Sequence, residues 1–461
     1  MAQVPSSCPM TKKETTSKWS DVIKNSVQTA TDPKQIYLLK TVQELLNEDG
    51  TVRRHTFGRK SPQERNRTIL MVGETGTGKS SLINLMVNYM LGVKWEDNIR
   101  FEITHENRKK DQYESKTTAI TAYEIYGQGE QSIPFSLTVI DTPGFEDTGG
   151  LKNDPRVSQN LYTLLNSVYG IQQIDAACLV VKASQNRLSP SQKYIFDAIL
   201  SLFGKNMEKN LMILITFSDW LPASEALEAV TEFGIPFPNN VIIHYLFNNC
   251  PLTDYQKEYE KLFRTHWNNG IDSMRAFFQT LDQMETQSLK MTENVLRERN
   301  SLKACIESCE SQIKEVGLKH EALDEANETL KKHEVRATFC LKCKEICHIP
   351  CTKASNPWWC KVMKWNGSCE TCKCSYEIHE TSSPVKFYEE KKRRCEQELR
   401  NAEAEETSLF ERCFRCILQL RELALKFDSD STRQSILRLI EVLKSNNQTE
   451  KAEKVQNILE K

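Results

Sequence analysis

Residues Gly73 to Ser80 read GETGTGKS and fit the pattern GxxxxGKS/T. The apolar segment TILMV (68–72) comes directly before them, and SSLINLMVNYM continues after them with helical spacing. A strand, a glycine-rich turn and a helix N-terminus together present backbone amides and a favourable dipole to an anion. The motif therefore predicts a loop that binds the phosphates of a nucleotide.

The side chains of this loop have distinct predicted roles. Lys79 is expected to reach the β- and γ-phosphate oxygens, and the Ser80 hydroxyl is expected to ligate Mg²⁺. The glycines allow the backbone amides to approach the phosphates closely. The predicted nucleotide contacts of the loop are Gly73, Glu74, Thr75, Gly76, Thr77, Gly78, Lys79, Ser80 and Ser81.

A second acidic group is needed near Mg²⁺, and DTPG (141–144) supplies one where the apolar segment SLTVID ends. Asp141 is the predicted acidic group, and the Gly144 amide is predicted to sense the γ-phosphate. Upstream, ESKTT offers Thr117 and Thr118 as the residue that closes over Mg²⁺. Spacing does not choose between these two, and we prefer Thr117. The predicted catalytic set is Lys79, Ser80, Thr117, Asp141 and Gly144.

The apolar segment LMILITF (211–217) runs into TFSD, where guanine-reading proteins keep an Asn or Thr, a Lys and an Asp. Thr216 and Asp219 are therefore predicted to face the base, with Asp219 accepting hydrogen bonds from guanine N1 and N2. Phe217 stands where Lys is usual, so the purine is expected to rest against a ring, and adenine stays open as the alternative base. After the last strand, Asn248 and Asn249 are predicted to meet the base.

Apolar strands alternate with helical stretches through residues 67–284. Near-continuous apolar strands joined by helical crossovers predict a mostly parallel sheet with helices on both faces, an α/β fold. The predicted strands are 68–72, 117–126, 136–141, 176–183, 211–217 and 241–247, and the predicted helices include 79–90, 189–203, 222–233 and a long helix over 254–284.

The segment before this domain has less pattern. Residues 1–30 are polar and lack periodicity, which predicts a disordered tail. In the predicted region 31–66, a helix is expected over 32–47, followed by a basic strand. The helix prediction depends on five apolar residues that share one helical face, which are Ile36, Leu39, Val42, Leu45 and Leu46.

Beyond residue 284, charged and apolar residues mix at helical spacing with few glycines or prolines. Long helices are predicted over 285–336 and 383–428, forming an antiparallel hairpin, and a helical pair over 429–461 breaks at SNNQ (445–448). The first long helix has an apolar seam that is less regular than a strict coiled-coil heptad. Its members are Val295, Leu302, Cys305, Cys309, Ile313, Val316 and Leu323.

A cysteine-rich insert is predicted over 337–382, between the two long helices, and it contains eight of the chain's 16 cysteines. Clusters of this density are typical of structural zinc, and the donors suffice for one or two tetrahedral ions. Eight unliganded thiols in a mobile loop are the alternative, and closed thiolate sites disfavour catalytic zinc. With His348 as a further candidate, the predicted ligands are Cys340, Cys343, Cys347, Cys351, Cys360, Cys369, Cys372, Cys374 and His379.

Four segments resemble the septin and immunity-associated GTPases, whose relatives include the chloroplast import receptor GTPases: GETGTGKSSLIN, DTPGFED, IDAACLVVKASQNRLSPSQKYIFDAILSLFG and TFSD. The resemblance covers residues 67–284, under half of the chain. With its Cys-rich helical extension, the whole chain resembles a set of fish GTPases. The resemblance implies GTP or GDP with Mg²⁺, face-to-face pairing of G domains, and a scaffold or immune role.

Two further expectations follow from comparison with small GTPases and with septins. Small GTPases keep a water-positioning Gln near the position of Phe145, so hydrolysis is expected to be slow unless Glu146 or Asp147 serves, or a partner supplies a group such as Arg187. The basic residues between Arg53 and Arg67 resemble in position the stretch with which septins meet anionic lipid. A solvated strand flank is the favoured alternative for that stretch.

Composition limits the partners. Lys and Arg total 61 against 62 Asp and Glu, a net charge of −1, which disfavours general binding to nucleic acid. No apolar run reaches the roughly 18 residues of a membrane span, and no secretory signal is evident, so a cytoplasmic location is expected. The combined prediction is a slow GTPase that pairs through its G domain and carries a zinc-tipped helical arm for a protein partner. The alternatives are a scaffold that holds nucleotide as a structural ligand and an ATPase of the same fold.

Overall fold

The computed structural model describes residues 18–61, 63–104, 119–127, 133–142, 164, 171–248, 256–332, 336–351, 356–383 and 385–460. The chain forms two compact units. The first comprises the residues up to Glu298 together with Leu420–Arg433, and the second comprises Arg299–Gln419 and Gln434–Lys461.

The first unit is built on an eight-stranded sheet. Its strands lie in the order β12-β11-β10-β5-β8-β7-β4-β3 and are bounded as follows: β3 (Val42–Leu45), β4 (Val52–Phe57), β5 (Asn66–Val72), β7 (Ile120–Ile125), β8 (Ser136–Asp141), β10 (Ala176–Lys182), β11 (Leu211–Thr216) and β12 (His244–Leu246). Most neighbours are parallel, whereas β7–β8 and β3–β4 pair antiparallel. The predicted α/β architecture with a mostly parallel sheet is therefore confirmed.

Helices join these strands close to the predicted bounds. They are α2 (Lys79–Met90), α3 (Pro190–Leu202), α4 (Ser224–Glu232) and α5 (Glu260–Gln283). The central strands β8 and β11 are buried along their full length, because apolar clusters lie on both faces of the sheet. One cluster packs α2 and α5 against one face, and the other packs α3 and α4 against the opposite face.

The register of the sheet brings its functional segments to one edge. Met71 of β5 lies opposite Asp141 of β8, and Lys182 of β10 lies opposite Thr216 of β11. Because these strands are parallel, their carboxyl ends share an edge, which is where ligands bind in open α/β sheets.

The predicted helix over 32–47 is wrong. That segment contains β2 (Gln35–Leu39) and β3, and β2 lies between β1 (Ser26–Ala30) and β6 (Ile99–Glu102) in a separate three-stranded sheet. Ile36 and Leu39 are buried as the helical pattern required, but Val42 and Leu45 are exposed. Pairing with neighbouring strands outweighed a spacing that a short apolar segment can satisfy in either conformation.

The predicted tail over 1–30 is wrong for its described part. A short helix, α1 (Ser20–Lys24), precedes β1, and Trp19 is buried with its indole Nε1 donating to the Leu91 carbonyl at 2.9 Å. A single buried tryptophan can anchor a polar segment that has no periodicity of its own. Residues 1–17 lie outside the described part of the chain.

Two cations, the half-buried Lys34 and the buried Arg100, lie at this small sheet. Lys34 Nζ donates to the carbonyls of Trp95 and Asp97 at 2.6 and 2.9 Å, and the Arg100 guanidinium lies 3.9 Å from the Trp267 ring centroid. Burial lowers the pKa of Arg100 to about 10. Burial and the charge of Arg100 together lower the pKa of Lys34 to about 8.

The second unit contains most of the helical hairpin. Two short strands of the first unit, β9 (Gln173–Ile174) and β13 (Gln287–Ser288), pair antiparallel before the hairpin begins. The helices that follow are α6 (Lys290–Lys332), α7 (Val385–Leu423), α8 (Asp430–Ser445) and α9 (Thr449–Leu459). Gln312 donates to the Ala402 carbonyl at 3.2 Å, and Lys319 pairs with Glu398 at 2.8 Å. Between these two contacts the residue number rises along α6 and falls along α7, so the two helices run antiparallel, as predicted.

The insert between α6 and α7 carries a small antiparallel sheet in the order β15-β14-β16. Its strands are β14 (Ala337–Cys340), β15 (Glu345–His348) and β16 (His379–Ser382).

The predicted seam of α6 is buried from Val295 to Val316 and half-buried at Leu323.

The division of the chain differs from the predicted succession of domains. Leu420–Arg433 belongs to the first unit, where Leu425 N donates to the Phe203 carbonyl at 2.8 Å and Lys426 pairs with Asp197 at 3.0 Å. None of the helices in the described ranges combines the length and the hydropathy of a membrane-spanning segment.

Candidate nucleotide site and metal centre

The loop after β5 turns sharply into α2, and its glycines make the turn possible. Gly76 and Gly78 have φ of 73° and 85°, which side chains with a Cβ rarely adopt. Position 73 requires glycine for a different reason: a Cβ there would lie 2.7 Å from the Val180 carbonyl oxygen of β10, which is too close. The glycines therefore set both the turn and its close packing on the sheet.

Lys79 folds back over this loop. Its Nζ donates to the carbonyls of Gly73 and Glu74 at 2.8 and 3.1 Å, and the side chain is buried. Burial lowers the pKa of Lys79, while the nearby Asp141 and Glu74 charges oppose that change. A buried cation whose hydrogen bonds go to carbonyl dipoles is a natural partner for an anion.

The hydroxyl groups of the loop differ in their bonding. Thr77 Oγ1 donates to the Glu74 carbonyl at 2.8 Å and closes the turn. Thr75 Oγ1 is buried and has no hydrogen-bond partner among the described residues. Ser80 is half-buried on the first turn of α2, and Ser81 is exposed. Thr75 thus holds a polar atom that an anion in the loop would satisfy.

The acidic segment after β8 lies next to the loop. Asp141 is buried at the end of β8, and its charge raises the pKa of Lys79 against the effect of burial. Thr142 is also buried, and its hydroxyl donates to the Met71 carbonyl of β5 at 2.9 Å. The predicted acidic residue therefore lies close enough to the loop lysine to interact with it.

Thr216 connects the predicted base-reading segment to the phosphate loop. Its buried hydroxyl contacts the Thr77 carbonyl at 2.7 Å and the Val181 carbonyl at 3.1 Å. The sequence predicted a base contact for this side chain, and its geometry instead makes it a brace between β10, β11 and the loop.

Beyond Thr216 the chain turns outward at the sheet edge. Phe217 is exposed with φ of 53°, and Lys182 Nζ lies 5.9 Å from its ring centroid. Asp219 is exposed, and one of its carboxylate oxygens accepts from the Leu221 amide at 3.0 Å. Asn248 donates to the Ser218 carbonyl at 2.8 Å, so it positions this turn. An exposed ring and an exposed carboxylate thus lie two residues apart.

Sequence reasoning missed two contacts of the site. Ser189 caps α3 in a capping box with Gln192, and its hydroxyl donates to a Glu74 carboxylate oxygen at 3.1 Å. The segment SPSQ carries the capping-box signal that could have marked Ser189. The contact of Thr142 with Met71 has no signal in the sequence, because it depends on the register of β5 and β8.

Several predicted residues lie outside the described part of the chain. These are Thr117, Thr118, Gly144, Phe145, Glu146, Asp147 and Asn249.

The basic stretch makes contacts within the first unit. Arg67 is buried against Asp175, Arg65 pairs with Asp282, and Arg54 pairs with Glu44. Arg53 Nε donates to the Gly50 carbonyl at 2.7 Å. These contacts favour the structural interpretation of the stretch over a lipid-binding one.

The cysteine-rich insert brings its predicted ligands together in three groups whose donor atoms lie within 4.8 Å of one another. The groups are Cys340, Cys343, Cys372 and Cys374; Cys347, Cys369, Cys372 and His379; and His348, Cys351 and Cys360. His348, the further candidate, approaches Cys360 Sγ at 3.3 Å through Nδ1. These side chains can hold metal ions.

Residues 67–261 match the model of the AIG1 family. The matched segment runs from β5 past Asn248, so it contains the phosphate loop, Asp141 and Asp219. This part of the chain is a GTPase domain.

Solved structures of Toc33 from Arabidopsis thaliana are similar to part of the chain. A dimerization-deficient mutant has 16% identity, covering 48% of this chain and 87% of that one, with a TM-score of 0.32. The complex with Mg²⁺ and GMPPNP has 18% identity, covering 48% and 88%, and the complex with GDP and Mg²⁺ has 17%, covering 48% and 87%, both with a TM-score of 0.32. A comparison with curated proteins finds no match.

Proposed function

We propose that this chain binds GTP and GDP with Mg²⁺ and hydrolyses GTP slowly under the control of G-domain pairing. We further propose that it uses its helical arm, with zinc bound in the insert, to engage a protein partner. The observation that carries the nucleotide part is the position of Lys79, a buried cation facing carbonyls inside a glycine-rich loop at the carboxyl edge of the sheet. Incoming phosphates would replace dipole contacts by charge contacts, which are stronger.

The residues around the loop fit a magnesium nucleotide. Ser80 at the start of α2 and Asp141 at the end of β8 supply a hydroxyl and a carboxylate, both oxygen donors of the kind that Mg²⁺ prefers. The buried Thr75 hydroxyl supports a phosphate in the loop. When bound, Mg²⁺ would neutralise charge on the phosphate oxygens, while Lys79 would hold the same oxygens from the loop side.

The turn after β11 supports guanine as the base. Asp219 offers a carboxylate to the paired N–H donors of guanine, and adenine presents no such pair. The exposed Phe217 ring and the nearby Lys182 ammonium provide a surface for the purine plane, replacing the aliphatic stem of the usual lysine. The AIG1 match also favours guanine over the ATPase alternative.

Slow hydrolysis and pairing rest on the residues that follow the acidic motif. Phe145 stands near the place where a water-positioning Gln would act in small GTPases, so a group from a second copy is proposed to orient the water. Arg187 is exposed beyond β10, on the carboxyl edge that carries the loop, and is the proposed donor across the pair.

The deciding experiment identifies the nucleotide carried by purified full-length protein and follows phosphate release against protein concentration. We expect GDP or GTP, and a rate per molecule that rises with concentration. A bound nucleotide with no turnover at any concentration would favour the scaffold alternative. Equal competition by ATP and GTP would reject the assignment of the base.

A further inference from the structure

Two of the donor groups in the insert share a residue, Cys372. One group joins it to Cys340, Cys343 and Cys374, and the other joins it to Cys347, Cys369 and His379. Together they offer seven different donors around two centres.

The spacing of these donors is that of ligands around a metal. Cys343 and Cys374 have their sulfurs 3.4 Å apart, far beyond the roughly 2.05 Å of a disulfide. Zn–S bonds of about 2.3 Å at tetrahedral angles place two sulfurs about 3.8 Å apart, and a sulfur and an imidazole nitrogen about 3.5 Å apart. His379 Nε2 lies 3.6 Å from Cys347 Sγ and 3.2 Å from Cys372 Sγ, close to the sulfur–nitrogen distance expected around a zinc ion.

The count of donors identifies the arrangement. Two tetrahedral zinc ions need eight ligand bonds, and seven donors supply eight bonds when one thiolate binds both ions. We propose that the insert holds a binuclear zinc centre in which the Cys372 thiolate bridges the two ions. Cys340, Cys343 and Cys374 complete the first ion, and Cys347, Cys369 and His379 complete the second.

The backbone supports both halves in the same way. Cys340-x2-Cys343 and Cys369-x2-Cys372 are each followed by a lysine with positive φ, 55° at Lys344 and 62° at Lys373. The amides of these lysines donate to the carbonyls of Cys340 and Cys369 at 2.8 and 3.0 Å. Two matching tight turns thus present paired thiols from separate parts of the insert.

Contacts around the donors fix their orientation. The Cys343 amide lies 3.4 Å from Cys340 Sγ and can donate to its thiolate. His379 Nδ1 lies 2.8 Å from the Ser375 carbonyl, so the ring donates there and directs the Nε2 lone pair toward the thiols. Cys340, Cys369 and His379 are buried, and gathered thiolates without cations would repel one another.

The third group, His348, Cys351 and Cys360, is separate from this centre. Cys351 and Cys360 sulfurs lie 3.8 Å apart, but the group shares no donor with the other two. The test therefore uses the full-length chain carrying Cys351→Ser and Cys360→Ser. In this double variant the third group binds metal more weakly, and the seven donors of the other two groups remain.

The proposal rests on zinc binding by the insert, and metal analysis separates the two claims. We expect two zinc ions per chain in the double variant, with Cys395→Ser, a change in α7 outside the donor groups, as the matched control. One ion per chain would overturn the bridge while leaving structural zinc in place. A zinc content near zero in reduced protein would overturn the zinc proposal itself.

Ligand removal distinguishes a bridge from two separate sites. Cys343→Ser in the double variant removes a donor from one ion, so one zinc is expected to stay bound against a chelator. Cys372→Ser removes a donor from both ions, so both are expected to be lost at chelator concentrations that the parent resists. Retention of one ion in Cys372→Ser would refute the bridge.

A spectroscopic test does not depend on the variants folding. In protein reconstituted with Co²⁺, a shared thiolate couples the spins of the two ions, so the EPR signal per cobalt should fall as the second ion binds. A signal that grows in proportion to cobalt up to two ions would overturn the proposal.

Discussion

Lys79→Ala would remove a buried cation whose Nζ donates hydrogen bonds to two carbonyl groups in the nucleotide-free protein. Because burial lowers the pKa of this lysine, its charged form is costly when the loop has no anion. We expect the variant to lose nucleotide affinity while the stability of the nucleotide-free protein changes little. The two effects separate binding from folding in one substitution.

The magnitude follows from the contacts of Nζ. A hydrogen bond to a charged partner contributes about 1.5–3 kcal/mol, and two unit charges 4 Å apart at an effective dielectric constant of 20 interact by about 4 kcal/mol. A loss of about 3 kcal/mol corresponds to roughly a hundredfold weaker binding. The free energy of unfolding without nucleotide should change by about 1 kcal/mol or less, since water can replace Nζ at the Gly73 and Glu74 carbonyls.

Titration with a fluorescent GDP measures the affinity, and thermal unfolding with and without GDP measures the stability. Lys193→Ala, which removes an exposed lysine from α3, is the matched control and should behave as the parent. Affinity within threefold of the parent would refute the role of Lys79. A large fall in the Tm of the nucleotide-free variant would show that the lysine supports the fold, contrary to the argument.

Three further predictions concern the base, the pairing and the small sheet. Asp219→Ala should abolish the preference for GTP over ATP in competition assays, whereas Asp272→Ala, which removes an exposed aspartate from α5, should not. A non-hydrolysable GTP analogue should increase the mass of the full-length protein in light scattering, and Arg187→Ala should lower its rate at high concentration without changing affinity; a monomer with a flat specific rate would contradict pairing. Lys34 has a pKa of about 8 in the folded protein, below its ordinary 10.5, so the unfolded chain binds more protons between these values and stability should rise with pH across that window. The difference in unfolding free energy between the parent and Lys34→Gln should therefore grow by about 1 kcal/mol from pH 8 to 10.5, after allowance for solvent screening of a half-buried group, and no change in that difference would reject the prediction.

The central strands could be predicted from the sequence because their apolar runs are nearly continuous and alternate with helical stretches. The helix α2 begins at Lys79 and ends at Met90, as predicted from the motif and the spacing. The segment around Ile36 could not be assigned in the same way. Its conformation depends on Arg100 and Phe101 in β6, a strand more than 60 residues away that local spacing does not report.

The candidate site shows the same division. The loop residues were predictable because phosphate binding demands specific residue types at fixed spacing. The role of Thr216 as a brace to Thr77 was not, because a hydroxyl within a strand can face a base or a neighbouring carbonyl, and only the register decides. The sharing of Cys372 was equally hidden, since spacing reveals how many donors exist and tertiary structure determines which of them meet.

The return of Leu420–Arg433 to the first unit has a consequence for how the protein is made. The arm is an insertion of about 120 residues into that unit, between Glu298 and Leu420. At 5–20 residues per second, a ribosome needs on the order of 10 s to synthesise it. During this interval the Phe203 carbonyl cannot accept its hydrogen bond from Leu425, and the Asp197 carboxylate cannot pair with Lys426. The nascent first unit therefore lacks these contacts until the arm has emerged. An incompletely folded unit is prone to aggregation, so this is the interval in which it most needs a chaperone.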